Sequence, residues 1–138
     1  MAHQLDFEKL EAYEVGDEGI FLDVVIKFVD VSVSFRAKID TGATYCIFER
    51  RFGEQLGLDI ESGMRQRFGT ATGGFYAYGF RVTLSTMNFD FNSMVFFAAD
   101  EGFTQNVLGR IGWLDKVVLG LVDYEGRLYL SRYDKDFN

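Results

Sequence analysis

The sequence VSVSFRAKI at residues 31–39 runs directly into DTGAT at residues 40–44, and this stretch decides the fold. Apolar and polar residues alternate through residues 31–39, which indicates a strand with one buried face and one exposed face. The strand delivers Asp40 to a sharp turn, because Gly42 tolerates backbone angles that other residues avoid. Such a turn presents two carboxylate oxygens beside the hydroxyl of Thr41 and a backbone amide. The alternative is an ordinary surface turn, in which Asp, Thr and Gly are all common.

Composition limits the classes of protein to which the chain can belong. A length of 138 residues suits one domain, and 48% hydrophobic with 25% charged residues indicates a folded protein. The net charge of −7 leaves no basic stripe for a phosphate backbone, so no nucleic acid is expected as a partner. The single cysteine, Cys46, excludes an internal disulfide, and a catalytic triad or a His/Cys zinc site would rest on one histidine, His3. We therefore expect a buried, inert Cys46, no metal and no organic cofactor.

The first twenty residues carry six acidic side chains and do not match a signal peptide. No apolar run in the sequence is long enough to span a bilayer. We therefore expect a soluble cytoplasmic protein without a membrane partner. Residues 1–19 are interpreted as a partly disordered N-terminal extension, with a partly ordered strand around residues 10–15, and residues 20–138 as one domain.

The first half of this domain is predicted to contain three strands and a helix. Residues 22–28 alternate in polarity and should form a hairpin with residues 31–39. Residues 45–48 predict a short buried strand. Apolar residues recur every four positions through residues 48–56, which indicates an amphipathic helix, and Gly57 follows where a glycine C-cap is expected.

The second half is predicted to be almost entirely β. Strands are expected on both sides of the sequence GTATGG at residues 69–74, which should be a mobile hairpin tip because it carries little to pack. A further strand is predicted at residues 89–98, a short helix at residues 111–116, and a closing hairpin at residues 119–123 and 128–133. The predicted fold class is mainly β, a small closed sheet or barrel with one or two short helices.

Three features stand in a fixed order along the chain. They are DTGA at residues 40–43, the glycine-tipped hairpin at residues 69–76, and NVLGR at residues 106–110 before a short helix. This order resembles the retropepsin-like aspartic proteases, the group that includes retroviral proteases, over about residues 20–132. The helix at residues 48–56 and the ending LYL resemble bacterial members of the group. The resemblance implies a small β-barrel of the retropepsin type.

The resemblance also implies roles for individual residues around the first motif. Asp40 matches the catalytic aspartate, and the Thr41 hydroxyl matches the group that locks the two active-site loops of a dimer together. Gly42 matches the part of the loop whose backbone lies against the substrate, and Ala43 matches a residue that supports the active-site loop. Leu108 and Gly109 match the element that packs beneath this loop, and Arg110 is also expected to support it.

The hairpin tip Thr72, Gly73 and Gly74 matches the flap that closes over a bound peptide. Phe75 and Tyr76, beside the tip, are candidates for lining side-chain pockets. The alternative for these two residues is ordinary packing within a hairpin.

One position departs from the retroviral pattern. Retroviral members often carry an acidic residue directly after DTGA, which pairs with the arginine that follows the later glycine. Thr44 occupies that place here. Arg110 is therefore expected to pair with another acid, such as Asp100 or Asp115.

Hydrolysis of a peptide bond by carboxyl groups requires two of them, one acting as base on water and the other protonated. The sequence contains a single DTG. We therefore expect a symmetric homodimer in which each copy contributes Asp40 to an aspartic endopeptidase acting on a peptide or protein substrate. Two alternatives are a catalytically silent module of the same fold that dimerises or binds peptide, and an unrelated β-barrel with a chance DTG turn.

Overall fold

Residues 1–134 are described by a computed structural model. Within them, ten strands form two sheets, and there is one short α-helix. The last four residues of the predicted domain, 135–138, lie outside the described residues. The elements are β1 (Lys9–Ala12), β2 (Phe21–Phe28), β3 (Val31–Ile39), β4 (Ile47–Phe48), α1 (Arg50–Gln55), β5 (Met64–Thr70), β6 (Gly73–Thr86), β7 (Phe89–Ala98), β8 (Val107–Leu108), β9 (Val117–Val122) and β10 (Arg127–Arg132).

The larger sheet has the strand order β2-β3-β8-β4-β7-β6-β5, and β2 also pairs with β6, so the sheet returns on itself. The smaller sheet, called the terminal sheet below, has the order β1-β10-β9 and is antiparallel throughout. The mainly β fold predicted from the sequence is confirmed.

The alternating strand and its partner form the predicted hairpin, with Phe21 opposite Lys38 and Phe28 opposite Val31. Leu22, Val24 and Ile26 are at most 2% exposed, so the apolar side of β2 faces the core. Burying such a set of side chains is the main favourable contribution to folding. It also fixes the register of the hairpin, because a shift by one residue would turn the apolar side towards water.

The helix is shorter than predicted at its start and ends where predicted. Phe48 belongs to β4 rather than to the helix, because Ile47 and Phe48 pair with Phe96 and Phe97 of β7. At the other end, Gly57 has φ +87°, and its N–H donates to the Glu54 carbonyl at 2.9 Å. The Leu58 N–H donates to the Gly53 carbonyl at 3.2 Å, which completes a Schellman cap.

Three other predictions need correction. The predicted strand at residues 45–48 is paired as a strand only at its last two residues. The predicted helix at residues 111–116 is reduced to a 3-10 turn at Leu114–Lys116, because Gly112 has φ +107°, outside the helical region. In the N-terminal extension the strand lies at Lys9–Ala12, and it pairs with β10.

Both sheets contribute to the main core. Leu128 and Leu130 of the terminal sheet are fully buried in the same cluster as the apolar side of β2. Trp113 is also fully buried, and its indole N–H donates to the Thr86 hydroxyl at 2.9 Å, so its polar atom has a partner. No helix within residues 1–134 is long and apolar enough to cross a membrane.

Candidate active site

Asp40 lies at the end of β3 in a turn that its own groups stabilise. Its N–H donates to the Leu108 carbonyl at 3.0 Å, and its carbonyl accepts the Ala43 N–H at 3.1 Å. Its carboxylate oxygen Oδ1 accepts the Gly42 N–H at 3.0 Å. The other oxygen, Oδ2, has no hydrogen-bond partner within residues 1–134, and the side chain is partly exposed. The turn therefore orients one oxygen and leaves the other available.

Leu108 and Gly109 pack beneath this turn. Leu108 lies opposite Ile39 in a parallel pairing of β3 with β8. A β-carbon on Gly109 would lie 2.2 Å from the carbonyl oxygen of Tyr45, so no side chain fits at this position. The Gly109 N–H also donates to Cys46 Sγ at 3.4 Å. A residue without a side chain is needed here because two backbone segments meet.

The strands β5 and β6 form the glycine-tipped hairpin that the sequence predicts as a flap. Residues 68–76, called the flap below, contain the turn at residues 71–72, and Gly73 has φ +140°. Phe75 is half-buried, whereas Tyr76 is 44% exposed, with the Arg65 guanidinium 4.8 Å from its ring centre. Neighbouring residues of a strand point to opposite sides, so the hairpin directs only one of the two towards the Asp40 turn.

The Asp40 turn and the flap enclose an open groove of about 540 Å³. Of the predicted site residues, the groove brings together Asp40, Gly42, Ala43 and Phe75. Thr41, Arg110, Tyr76 and the tip residues Thr72, Gly73 and Gly74 are exposed outside it, and Leu108 and Gly109 are buried behind it. Its lining also contains Thr44, Tyr45, Ile47, Phe68, Gly69, Thr70, Phe103, Gln105 and Val107, which were not predicted as site residues.

Aromatic side chains form the wall of the groove at the base of the flap. Phe68 and Phe75 stack with ring centres 5.4 Å apart, and Phe103 lies 5.0 Å from Phe75. Tyr45 contacts Phe68 edge to face at 5.8 Å. Phe68 could have been predicted from the sequence, because counting residues back from the hairpin tip places it opposite Phe75. Phe103 lies in a polar loop, and no periodicity indicates it.

The comparisons with known proteins agree with this geometry. The family model described as aspartyl protease matches residues 24–113, which include the Asp40 turn, the flap and the Leu108–Gly109 element. The chain belongs to the aspartyl protease family. The resemblance to retropepsin-like aspartic proteases stated from the sequence is thereby confirmed.

A solved structure supports the fold of this aspartyl protease family member. EIAV protease, complexed with the inhibitor HBY-793, has a TM-score of 0.55 and is 16% identical in sequence. The alignment covers 71% of this chain and 88% of that chain. At this identity the likeness concerns the fold alone. No curated protein matches the sequence.

The predicted acidic partners of Arg110 are wrong. Asp100 Oδ1 accepts the Gly102 N–H at 2.7 Å, and Asp115 Oδ1 accepts the Gly112 N–H at 3.0 Å, so both carboxylates complete local turns. Arg110 is exposed and forms no ion pair within residues 1–134. Its backbone is fixed instead, because its N–H donates to the Ala43 carbonyl at 2.9 Å.

Cys46 is buried beneath the turn, as expected for an inert thiol. Burial raises the pKa of the Cys46 thiol to about 12, because the charged thiolate loses its hydration there. The reactive form of cysteine is the thiolate, so Cys46 is unsuited to act as a nucleophile near neutral pH. Within residues 1–134 there is also no cluster of His, Cys, Asp and Glu that could hold a metal ion.

The loop that carries Phe103 is held at both ends by residues next to or within α1. Asn106 and Glu49 form a reciprocal pair, in which the Glu49 N–H donates to Asn106 Oδ1 at 2.9 Å and Asn106 Nδ2 donates to Glu49 Oε2 at 2.6 Å. Arg50 Nη1 donates to the Ala99 carbonyl at 3.0 Å. Hydrogen bonds to Glu61, and also to Glu54, raise the pKa of Arg50 above its ordinary value. These bonds fix the position of the aromatic wall.

Proposed function

We propose that this protein is an aspartic endopeptidase that acts as a homodimer, in which each copy contributes one Asp40. The observation that carries the proposal is the placement of Asp40 in the groove with Oδ2 free of hydrogen bonds. Asp40 is also the only acidic residue among the side chains that line the groove. One chain therefore supplies one of the two carboxyl groups that the chemistry needs.

The proposed mechanism uses two Asp40 side chains that share one proton, because close like charges disfavour double ionisation. The ionised carboxylate takes a proton from water while the water oxygen bonds to the carbonyl carbon of the substrate. The protonated carboxyl donates its proton to the carbonyl oxygen. As the tetrahedral intermediate collapses, the C–N bond breaks, the leaving amine receives a proton from the first carboxyl, and one hydroxyl of the intermediate returns its proton to the second carboxylate. The products are a carboxylic acid and an amine, and the pair again holds one proton.

The walls of the groove favour an extended peptide with apolar side chains. Tyr45, Phe68, Phe75 and Phe103 present rings to the space beside Asp40. Extended peptides bind such clefts mainly through backbone hydrogen bonds, with alternate side chains in pockets. Gly69 and Thr70 of the flap line the same groove.

The test is cleavage of a peptide library, read by mass spectrometry across acidic to neutral pH, by the wild type and by Asp40→Asn. We expect the substitution to lower kcat/KM by at least about 1,000-fold, because Asn cannot transfer protons in place of the carboxyl group. The fold should survive, since the Asn side-chain oxygen accepts the Gly42 N–H in the same way. Asp100→Asn is the matched control, because Asp100 completes a loop turn outside the groove.

Equal cleavage by the wild type and Asp40→Asn would refute the proposal. No cleavage by a protein shown to be dimeric would favour the silent module, for which peptide binding should survive Asp40→Asn.

A further inference from the structure

The strand β5 is an edge strand of the larger sheet, and one end of it belongs to the groove. Within residues 1–134, β5 pairs with β6 on one side and with no segment on the other. Gly69 and Thr70, at its C-terminal end, line the groove together with Asp40, whereas residues 64–67 lie outside it. The free edge of β5 therefore begins in the groove and continues beyond it.

The hairpin turn determines which backbone groups of β5 reach this edge. Because the turn has two residues, Thr70 and Gly73 close it and exchange both of their backbone hydrogen bonds. Bonded and non-bonded pairs then alternate along an antiparallel ladder. The residues that direct their N–H and C=O groups away from β6 are therefore Gly69, Arg67 and Arg65. An extended peptide that pairs with Gly69 in the groove can continue along the two arginines.

The side chains along this edge carry positive charge that no acidic residue of the hairpin neutralises. Residues 62–89 contain no Asp and no Glu, although the whole chain has 21 acidic residues and a net charge of −7. Arg65 and Arg67 are both exposed, and neither forms an ion pair within residues 1–134. The outer side of β5 at these two residues, called the arginine edge below, is thus a cationic site on an acidic protein, and its field attracts negative charge.

Contacts with β6 restrain both guanidinium groups. Arg65 Cζ lies 4.8 Å from the centre of the Tyr76 ring. Arg67 lies across Gly74, where an added β-carbon would be 2.8 Å from Arg67 Nη2. Residues 65 and 67 are separated by one position, so both side chains lie on the same face of the hairpin. Because the two groups are already restrained, they lose less conformational freedom when they bind a carboxylate.

We propose that the arginine edge binds an acidic segment of the peptide substrate as an added strand, outside the groove that holds the scissile bond. Residues directly opposite each other on neighbouring strands have their side chains on the same face. Two peptide residues, separated by one, therefore lie beside Arg67 and Arg65, and both should be Asp or Glu. Arginine binds a carboxylate through paired N–H donors. This inference deepens the proposed function and rests on it, because the ligand is the substrate of the groove.

The test is a register scan with fluorescein-labelled peptides and the Asp40→Asn variant, which should bind peptide without cleaving it. Each peptide has an apolar Leu-Phe core, and a Glu-x-Glu pair is moved outward from the core by one residue at a time, on either side. Fluorescence anisotropy at pH 7, where glutamate is ionised, gives the dissociation constant. We expect the best register to bind about 5- to 10-fold more tightly than the same peptide with Gln-x-Gln. Moving the pair by one residue should remove this gain, because its side chains then point to the other face.

Substitution of the arginines tests which residues make the contact. With Arg65→Gln and Arg67→Gln added together to Asp40→Asn, the ratio of the Gln-peptide to the Glu-peptide dissociation constant should fall to about 1. The matched control is Arg81→Glu, which changes the net charge by the same amount and lies beyond Gly79, the last partner of β5 on β6. The control should keep the preference for the Glu peptide. All three arginines are exposed, so the variants should fold, which near-ultraviolet circular dichroism checks.

A kinetic measurement on the wild type adds a second readout. The Glu-x-Glu pair in its best register should lower KM and leave kcat nearly unchanged, because its contacts lie away from the reacting atoms and are the same in the ground state and the transition state. An increase in kcat with KM unchanged would contradict a contact of this kind.

The outcomes separate this inference from the proposed function. Equal binding of the Glu and Gln peptides in every register, or no measurable binding of any peptide, overturns the inference, and loss of cleavage in Asp40→Asn would still support the proposed function. A preference that survives substitution of both arginines, or one that Arg81→Glu abolishes equally, also overturns the inference. A register-dependent preference that requires Arg65 and Arg67, in a protein whose wild type cleaves no peptide, supports the inference and overturns the proposed catalysis.

Discussion

Glycine serves different purposes in the floor and in the flap of the groove. The floor comprises residues 39–46 and 106–111, and in it the β-carbon position of Gly109 is 2.2 Å from the Tyr45 carbonyl oxygen. In the flap, the same position on Gly69 or Gly73 has no atom within 4 Å. Gly109 permits two backbone segments of the floor to touch, whereas Gly69 and Gly73 leave open space around the flap. Gly74 differs from these two, because a β-carbon there would lie 2.8 Å from the Phe68 carbonyl oxygen.

In the proposed mechanism the floor holds the reacting group and the flap moves, and the two regions differ in the contacts that these tasks require. The floor is a network of backbone hydrogen bonds that joins Asp40 to Leu108, Arg110 to Ala43 and Ile111 to Thr44. In the described part of the chain, the aromatic ring contacts that attach the flap lie at its base, where Phe68 contacts Tyr45 and Phe75 contacts Phe103. Catalytic groups need fixed geometry, whereas a cover over the substrate must open, so the two needs are met by different contacts.

The largest effect is expected from Gly109→Ala. The added methyl group would overlap the Tyr45 backbone, which cannot move without breaking the floor, so unfolding free energy should fall by about 3 kcal/mol or more. Urea denaturation measures this change. The matched control is Gly69→Ala in the flap, which has open space around it and should change stability by no more than about 1 kcal/mol. Similar losses for the two variants would contradict the distinction between floor and flap.

A smaller effect is expected from Phe75→Ala, which removes the ring between Phe68 and Phe103 at the base of the flap. Because the ring is half-buried, the loss should be about 1–2 kcal/mol, with faster hydrogen exchange through residues 68–76. Tyr76→Ala, one position along on the exposed side of the same strand, should cost less than about 1 kcal/mol. If Tyr76→Ala loosened the flap more than Phe75→Ala, the aromatic base would not be its anchor.

Local patterns in the sequence were sufficient to predict much of the floor and the hairpins. Alternation predicted β3, and the turn at Asp40 follows from residue preferences within four positions. Gly57 marked the end of α1 for the same kind of reason, since the cap forms within one turn of chain. These features depend on residues that are close together in the chain, so a single sequence is enough to predict them.

The features that could not be predicted depend on contacts between distant segments. Phe48 left the predicted helix because β7 offers a strand partner almost fifty residues away. Phe103 joins the groove because Glu49 and Arg50 hold the ends of its loop. The N-terminal extension pairs with β10 at the other end of the chain. Periodicity within a short window contains no information on such partners.

The loop that carries Phe103 is attached through side-chain hydrogen bonds between Asn106 and Glu49, unlike the floor, which is joined by backbone hydrogen bonds. Asn106→Ala tests how firmly this loop is held. The substitution removes both hydrogen bonds of the pair with Glu49, so unfolding free energy should fall by about 1–2 kcal/mol. Asn92→Ala, at an exposed strand position, is the matched control and should be nearly neutral. Differential hydrogen exchange should place the increased opening at residues 100–106. A neutral Asn106→Ala would show that backbone contacts alone fix the loop.

Thiol chemistry compares the two regions in one molecule. In a Thr72→Cys variant, the flap thiol is exposed and should react with a maleimide at pH 8 as a free thiol does. Cys46 in the floor should react at least about 1,000-fold more slowly, because only opening of the floor exposes it. Rapid labelling of Cys46 in the folded protein would mean that the floor opens as readily as the flap.

The raised pKa of Cys46 also has a consequence for stability. The folded chain keeps the thiol proton up to about pH 12, but the unfolded chain loses it above about pH 9. The stability that the protonated thiol contributes is therefore fully present below pH 9 and is lost between pH 9 and pH 12. Urea denaturation over that range should show a pH dependence that Cys46→Ala reduces.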